Sequence, residues 1–102
     1  MQPPLLIAET IDTPLVELDG EKGIFKVSGM SLPEDAVSVY APVKKYLQEY
    51  IANPNLSAEF IFEMDYYNSA SSKQFIIILF DMEQIIQNGK RIKVIWYYSE
   101  ED

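Results

Sequence analysis

The sequence predicts an α/β fold: a small mixed β-sheet of about four strands with two main helices packed on it. Three observations carry this. Two short apolar runs flank a Gly-rich turn near the N-terminus, a helical apolar stripe follows, and the remainder alternates segments of period two and period 3.6. Strand–helix–strand order repeated twice implies parallel pairing, and right-handed crossovers put both helices on one face of the sheet. At 102 residues the chain is the size of one domain, so residues 1–102 are expected to form a single unit.

Each element has its own signature. Thr13-Pro14-Leu15-Val16-Glu17-Leu18, the turn Asp19-Gly20-Glu21-Lys22-Gly23 and Ile24-Phe25-Lys26-Val27-Ser28-Gly29 read as a β-hairpin. Ser31-Leu32-Pro33-Glu34 has the form of a capping box. The helix expected after it carries Val39, Val43, Tyr46, Leu47, Tyr50 and Ile51 at helical spacing. Pro42 lies inside it and removes one backbone hydrogen bond. Asn53-Pro54-Asn55 ends it. From Ala58 the pattern alternates: Ala58, Phe60, Phe62, Met64 and Tyr66 on one face, Glu59, Ile61, Glu63, Asp65 and Tyr67 on the other. After the polar turn Asn68-Ser69-Ala70-Ser71-Ser72, a helix from Gln74 to Gln87 shows an apolar stripe of Phe75, Ile78, Leu79, Met82, Ile85 and Ile86. Ser71 and Gln74 form a second capping box, and Gly89 suits the position just past the helix end. Arg91 to Tyr98 is the last strand, with Ile92, Val94 and Trp96 sharing a face.

Composition removes several chemistries. With no Cys there is no thiolate nucleophile or cysteine-ligated metal, and with no His there is no imidazole base. A formal charge of −8 disfavours nucleic acid and anionic membrane surfaces. No signal peptide or membrane span is expected: Leu5-Leu6-Ile7-Ala8 is short and follows no basic residue. The expected compartment is cytoplasmic, and no cofactor is implied.

Three features can carry function. Ser69, Ser71 and Ser72 sit where a strand ends and a helix opens, the edge at which open α/β sheets bind ligands. Ser69 lies just before the expected cap and within reach of a kinase. A phosphate there adds about −1.5 to −2 charges beside unpaired helix amides, favoured by Lys73 and opposed by Asp65. The same serines also serve as plain caps. Glu59, Glu63 and Asp65 share a strand face and can in principle hold Mg²⁺ for acid/base work, or simply be a solvated face. Ile76, Ile77 and Phe80 lie beside the main helical stripe. Burial is the default for Ile76 and Ile77, while exposure would make them, with Phe80 and Tyr67, a partner-binding face. Most of the seven tyrosines are expected at core edges with the hydroxyl in water. Glu100-Glu101-Asp102 is an acidic tail.

Several segments together resemble one bacterial family. They are Thr13-Pro14, Ser28-Gly29-Met30-Ser31-Leu32-Pro33-Glu34, Tyr40-Ala41-Pro42-Val43, Asp65-Tyr66-Tyr67-Asn68-Ser69-Ala70-Ser71-Ser72-Lys73 and Trp96-Tyr97-Tyr98. Over nearly its whole length the chain looks like a SiaC-type regulatory phosphoprotein, STAS-like and related in architecture to the anti-sigma-factor antagonists. The resemblance implies a partner-switching adaptor and not an enzyme. A serine/threonine kinase phosphorylates it and a PP2C-type phosphatase reverses the reaction. The unmodified form activates an output protein, a diguanylate cyclase, which ties it to cyclic-di-GMP and biofilm behaviour. By position the phosphoacceptor is Ser69, with Asn68, Ser71, Ser72 and Lys73 as its shell. Where the family commonly has Thr followed by Ser-Ser this chain has Ser69-Ala70-Ser71, so Ser71 is the alternative acceptor. The family's usual C-terminal helix and strand are expected to be absent. Outside the resemblance, the competing readings are a carboxylate–Mg²⁺ enzyme and a purely structural interaction module.

Overall fold

Residues 2–97 are described by a computed structural model. The acidic Glu100-Glu101-Asp102 and Tyr98 fall outside the described residues. The elements run β1 (Leu5–Ile7), β2 (Leu15–Asp19), β3 (Ile24–Ser31), α1 (Ala36–Ile51), β4 (Ser57–Tyr67), α2 (Ser69–Gln87) and β5 (Arg91–Tyr97). They build one five-stranded mixed sheet in the order β1-β2-β3-β4-β5. β1–β2 and β2–β3 pair antiparallel; β3–β4 and β4–β5 pair parallel, each across a helix, as the repeated strand–helix–strand pattern requires. β1 is a strand beyond the expected four. Three residues carry too little alternation to be read alone, and pairing with Val16 to Leu18 is what makes them a strand.

The core fills the space between the helices and one sheet face. Val16, Leu18, Phe25, Val27, Phe60 and Phe62 come from the sheet, Tyr40, Val43 and Leu47 from α1, and Phe75, Ile78, Met82 and Ile85 from α2. Phe60 stacks on Phe62 at 4.7 Å, and Phe62 meets Phe75 at 5.0 Å and Trp96 at 4.7 Å. Truncating one of these rings to Ala should cost about 3–5 kcal/mol. The opposite sheet face is open to solvent and mixes charged residues with Leu6, Ile24, Ile61, Ile95 and Tyr97. There Lys26 and Glu63 form an ion pair at 3.0 Å that holds the ammonium pKa above its ordinary value, with the hydrogen bond that Lys26 donates to Glu63 as the main cause. Glu59 and Glu63 do share this face, and among the described residues no three carboxylates gather as a metal would need.

Tyrosine placement departs from expectation at three positions. Tyr40, Tyr46 and Tyr50 are buried with their hydroxyls bonded to protein groups, whereas Tyr66, Tyr67 and Tyr97 are exposed. Tyr46 Oη accepts from the Gly20 amide and donates to the Pro3 carbonyl, pinning the segment before β1 to α1. Helix α1 continues through Pro42. α2 ends as its sequence predicts: Gly89 takes φ +79°, its N–H bonds the Ile86 carbonyl and the Lys90 N–H bonds that of Ile85.

Candidate functional site

The site lies where β4 hands over to α2, and a β-bulge sets it up. Gly29 pairs with Met64 but Met30 pairs with Tyr66, so Asp65 is an extra residue on β4. Every later side chain therefore changes face. Tyr67, expected beside Glu63, turns to the helix side and meets Phe75 and Trp96 edge-on at 5.6 Å each, while Tyr66 turns outward. Asp65 correspondingly loses its regular place in line with Glu59 and Glu63.

Both expected capping boxes give way to other residues. α1 is capped by Asp35: its carboxylate accepts from the Ser38 amide at 3.2 Å and the Ser38 hydroxyl at 2.7 Å, which lowers its pKa. α2 begins at Ser69, earlier than expected, and is capped by Asn68. Asn68 Oδ1 accepts from the Ser71 amide at 2.9 Å, while Nδ2 donates to the Pro33 carbonyl at 3.1 Å. Its own N–H donates to the Ser31 carbonyl at 3.0 Å. One asparagine thus ties the helix start to β3 and to the loop leading into α1.

Ser31 and Ser71 are released from capping by this arrangement and are fully buried. Ser31 Oγ lies 2.6 Å from Tyr40 Oη and 2.7 Å from Ser71 Oγ, and Ser71 Oγ lies 3.1 Å from the Ser31 carbonyl. Each hydroxyl has one proton and a carbonyl only accepts. The direction follows: Tyr40 donates to Ser31, Ser31 to Ser71, and Ser71 to the Ser31 carbonyl. Burial pushes the Tyr40 phenol up to about 12, the two serine hydroxyls offsetting part of that rise. Nothing in the sequence marks this network, because its members lie 9 and 40 residues apart and serine and tyrosine are ordinary surface residues.

Ser69 is the outward counterpart. It is the first residue of α2, exposed, with Ser72 half-buried and Lys73 exposed beyond it. At 100° per residue, Ser69, Lys73, Ile76 and Phe80 fall within about 60° of one another on the helix surface. Ile76 is 52% exposed, Ile77 42% and Phe80 65%, against the default of burial for the two isoleucines. The stripe Phe75, Ile78, Met82 and Ile85 already fills the sheet side, so their neighbours have no core left to enter. Tyr67, 41% exposed, flanks the same end of the helix. The structure thus brings Asn68, Ser69, Ser71 and Tyr67 together at the junction and sets Ile76, Ile77 and Phe80 farther along α2.

Comparison with known proteins gives the arrangement a context. The chain is 26% identical over 95 residues, 93% of its length, to an uncharacterised protein of Pseudomonas aeruginosa strain UCBPP-PA14, of which it covers 75%. It superposes on the crystal structure of apo-SiaC from Pseudomonas aeruginosa with a TM-score of 0.89 at 26% identity, covering 96% of this chain and 81% of that one. It also superposes, with a TM-score of 0.87 at 26% identity, on a structure of SiaC in complex with the diguanylate cyclase SiaD, whose activator it is; the coverage is 96% and 80%. The family model for the SiaC family regulatory phosphoprotein matches residues 7–102. A five-stranded sheet, two helices on one face and a serine-opened helix over the same span leave one conclusion: the chain belongs to the SiaC family of regulatory phosphoproteins.

Proposed function

We propose that this chain is a phosphorylation-controlled adaptor that works by binding, not by catalysis, in the bacterial cytoplasm. In this reading Ser69 is the acceptor, a serine/threonine kinase and a PP2C-type phosphatase write and erase the mark, and the unmodified form binds and activates a diguanylate cyclase. The observation that carries the reading is the exposed face of α2, which begins at Ser69 and continues into Ile76 and Phe80. Support for the cyclase comes from the solved complex of the relative SiaC with SiaD. Ser71 is disfavoured as acceptor because its hydroxyl is buried and committed to two hydrogen bonds.

Phosphate on Ser69 would sit beside the first amides of α2 and within one turn of Lys73, both of which favour a dianion. Ile76 lies seven residues on, about 10 Å along the axis. A partner seated on Ile76 and Phe80 would have to approach that dianion and strip its water, which opposes binding. The bare hydroxyl imposes no such cost.

The test pairs Ser69→Asp with Ser69→Ala against the diguanylate cyclase encoded in the same cells, with affinity read by calorimetry. Ser69→Ala should bind like the unaltered chain, and Ser69→Asp at least about tenfold more weakly, roughly 1.4 kcal/mol. Phosphosite mapping of protein from native cells should find phosphate on Ser69 and none on Ser71. Equal affinity of both variants, or phosphate on Ser71 alone, would sink the assignment.

A further inference from the structure

The charges of this chain are sorted by place. From Ala36 to Gln48 on α1 and from Ser69 to Phe80 on α2 stand three lysines, Lys44, Lys45 and Lys73, and no carboxylate. The rest of the chain carries all sixteen acidic residues against five basic ones. Both stretches start at the junction, because the loop leading into α1 is held there by the bond from Asn68 to the Pro33 carbonyl. Asp35 and Asp81 mark the two ends of this cationic zone.

The three lysines are not equivalent. Lys45 and Lys73 are exposed, whereas Lys44 is half-buried and crosses the seam between the helices, its Nζ donating to Gln74 Oε1 at 2.6 Å. A lysine drawn off the surface is usually paired with a carboxylate. Here its partner is a neutral, buried glutamine, and among the described residues none of the three lysines has a carboxylate within 4.0 Å. Val37 lies two turns before Lys44, within about 20° around α1, and Ala70 and Ile77 lie within about 60° of Gln74 around α2. Val37 is 59% exposed and Ile77 42%. The outer side of the seam is thus apolar, with one ammonium set into it and Lys73 on its rim. α1 touches α2 and β2, and α2 touches β5, so the seam lies on the side of α2 away from the last strand.

We propose that the seam between α1 and α2 receives a partner surface in which carboxylates stand beside apolar side chains. The carboxylates meet Lys44 and Lys73, and the apolar groups cover Val37 and Ile77. This rests on the reading of Ser69 as a switch and names the chemistry of what the switch controls. Charge complementarity selects the occupant, since a second copy docking by the same seam brings lysine to lysine. A phosphate on Ser69, one turn from Lys73, then acts in two ways. It neutralises that lysine, and it repels the carboxylates that would otherwise meet it. Repulsion of this kind is screened by salt, whereas the cost of stripping water is not.

The test measures the affinity of the full chain for the diguanylate cyclase encoded in the same cells, by calorimetry. General electrostatics opposes an acidic partner, because the chain is strongly acidic, and salt would then strengthen binding. The proposal requires the reverse. Raising NaCl from about 0.05 M to about 0.5 M should weaken binding at least about tenfold and narrow the gap between Ser69→Ala and Ser69→Asp. Lys73→Glu should weaken binding at least about tenfold, while Lys22→Glu, the same change of charge in the turn between β2 and β3, should leave it within about twofold. Lys44→Met keeps the apolar stem, removes the ammonium and should weaken binding at least about fivefold; Lys73→Glu decides alone if that variant does not fold. Binding that salt strengthens or leaves unchanged, or lysine variants that match Lys22→Glu, would overturn the proposal even where Ser69→Asp still binds weakly. Binding that depends on salt and on both lysines but ignores Ser69→Asp would keep the seam and sink the switch.

Discussion

The starts of the two helices solve the same electrostatic problem in different ways. Each helix leaves amides unpaired and a partial positive charge at its N-terminus. α1 answers with a carboxylate: Asp35 caps it, is exposed, and its side chain bonds only to Ser38 three residues away. α2 answers with a neutral amide, Asn68, which also holds the Pro33 carbonyl, and the buried Ser71–Ser31–Tyr40 chain lies beneath it. The first cap is local and already carries its anion. The second is wired into the core, carries no charge in its first turn, and exposes a hydroxyl at Ser69. An added dianion would find the dipole of α1 partly neutralised and that of α2 free.

Breaking the wiring should have the largest effect. Ser31→Ala takes the acceptor from Tyr40 and the donor from Ser71 inside the core, and should cost about 2–3 kcal/mol by chemical denaturation, since stranded buried polar groups cost about 1–3 kcal/mol. A loss below about 0.5 kcal/mol, the range of ordinary surface changes, would mean that the chain of hydroxyls does not tie the elements together.

Alkaline pH tests the same network without mutation. Tyr40 is raised from 10.0 to about 12 in the folded chain. Above pH 10 the unfolded phenol ionises while the folded one keeps its proton, so its stabilising contribution is complete below pH 10 and is lost as pH rises towards 12. The loss should approach about 2 kcal/mol. Tyr46 and Tyr50, also raised by burial, act in the same direction. Tyr40→Phe should flatten this part of the stability–pH curve, and an unchanged slope would remove Tyr40 as its source.

The caps themselves sharpen the comparison with a smaller effect. Asn68→Ala should cost about 2 kcal/mol and Asp35→Ala about 1 kcal/mol, because the first loses a tertiary bond as well as a cap. Only the Asp35 contribution should be pH-dependent. Its pKa is lowered in the folded chain, so the contribution is present above the ordinary value of 3.8 and is lost as pH falls through the lowered one. Equal costs measured by thermal unfolding at pH 7 would erase the distinction between a local and a wired cap.

What was legible in the sequence was local and periodic. Alternation in Ala58 to Met64, the stripe from Phe75 to Ile85, the turn glycines and the Gly89 stop all reappear in the structure, because each is fixed by backbone geometry within a few residues. The capping boxes misled because a Ser-x-x-Glu or Ser-x-x-Gln pattern is satisfied locally only when nothing better competes. Here a buried Tyr40 hydroxyl competes for Ser31, and Asn68 takes the cap that Ser71 was expected to make. Asp65 illustrates the same limit, since one unpaired residue reverses the faces of Tyr66 and Tyr67 and only pairing with β3 reveals it.

The sequence by itself therefore determined an α/β domain, the two crossovers, the absence of thiol and imidazole chemistry, and an exposed serine near the opening of the second helix. Tertiary structure decided the remainder: a fifth strand, the bulge that turns Tyr67 inward, which serine is buried and which is free, and where the apolar face of α2 meets solvent. The division has one physical cause. Periodicity and composition act along the chain, whereas the partner of a hydroxyl or the cover over an isoleucine is chosen by residues 9 to 40 positions away, brought within hydrogen-bond or van der Waals reach only by packing.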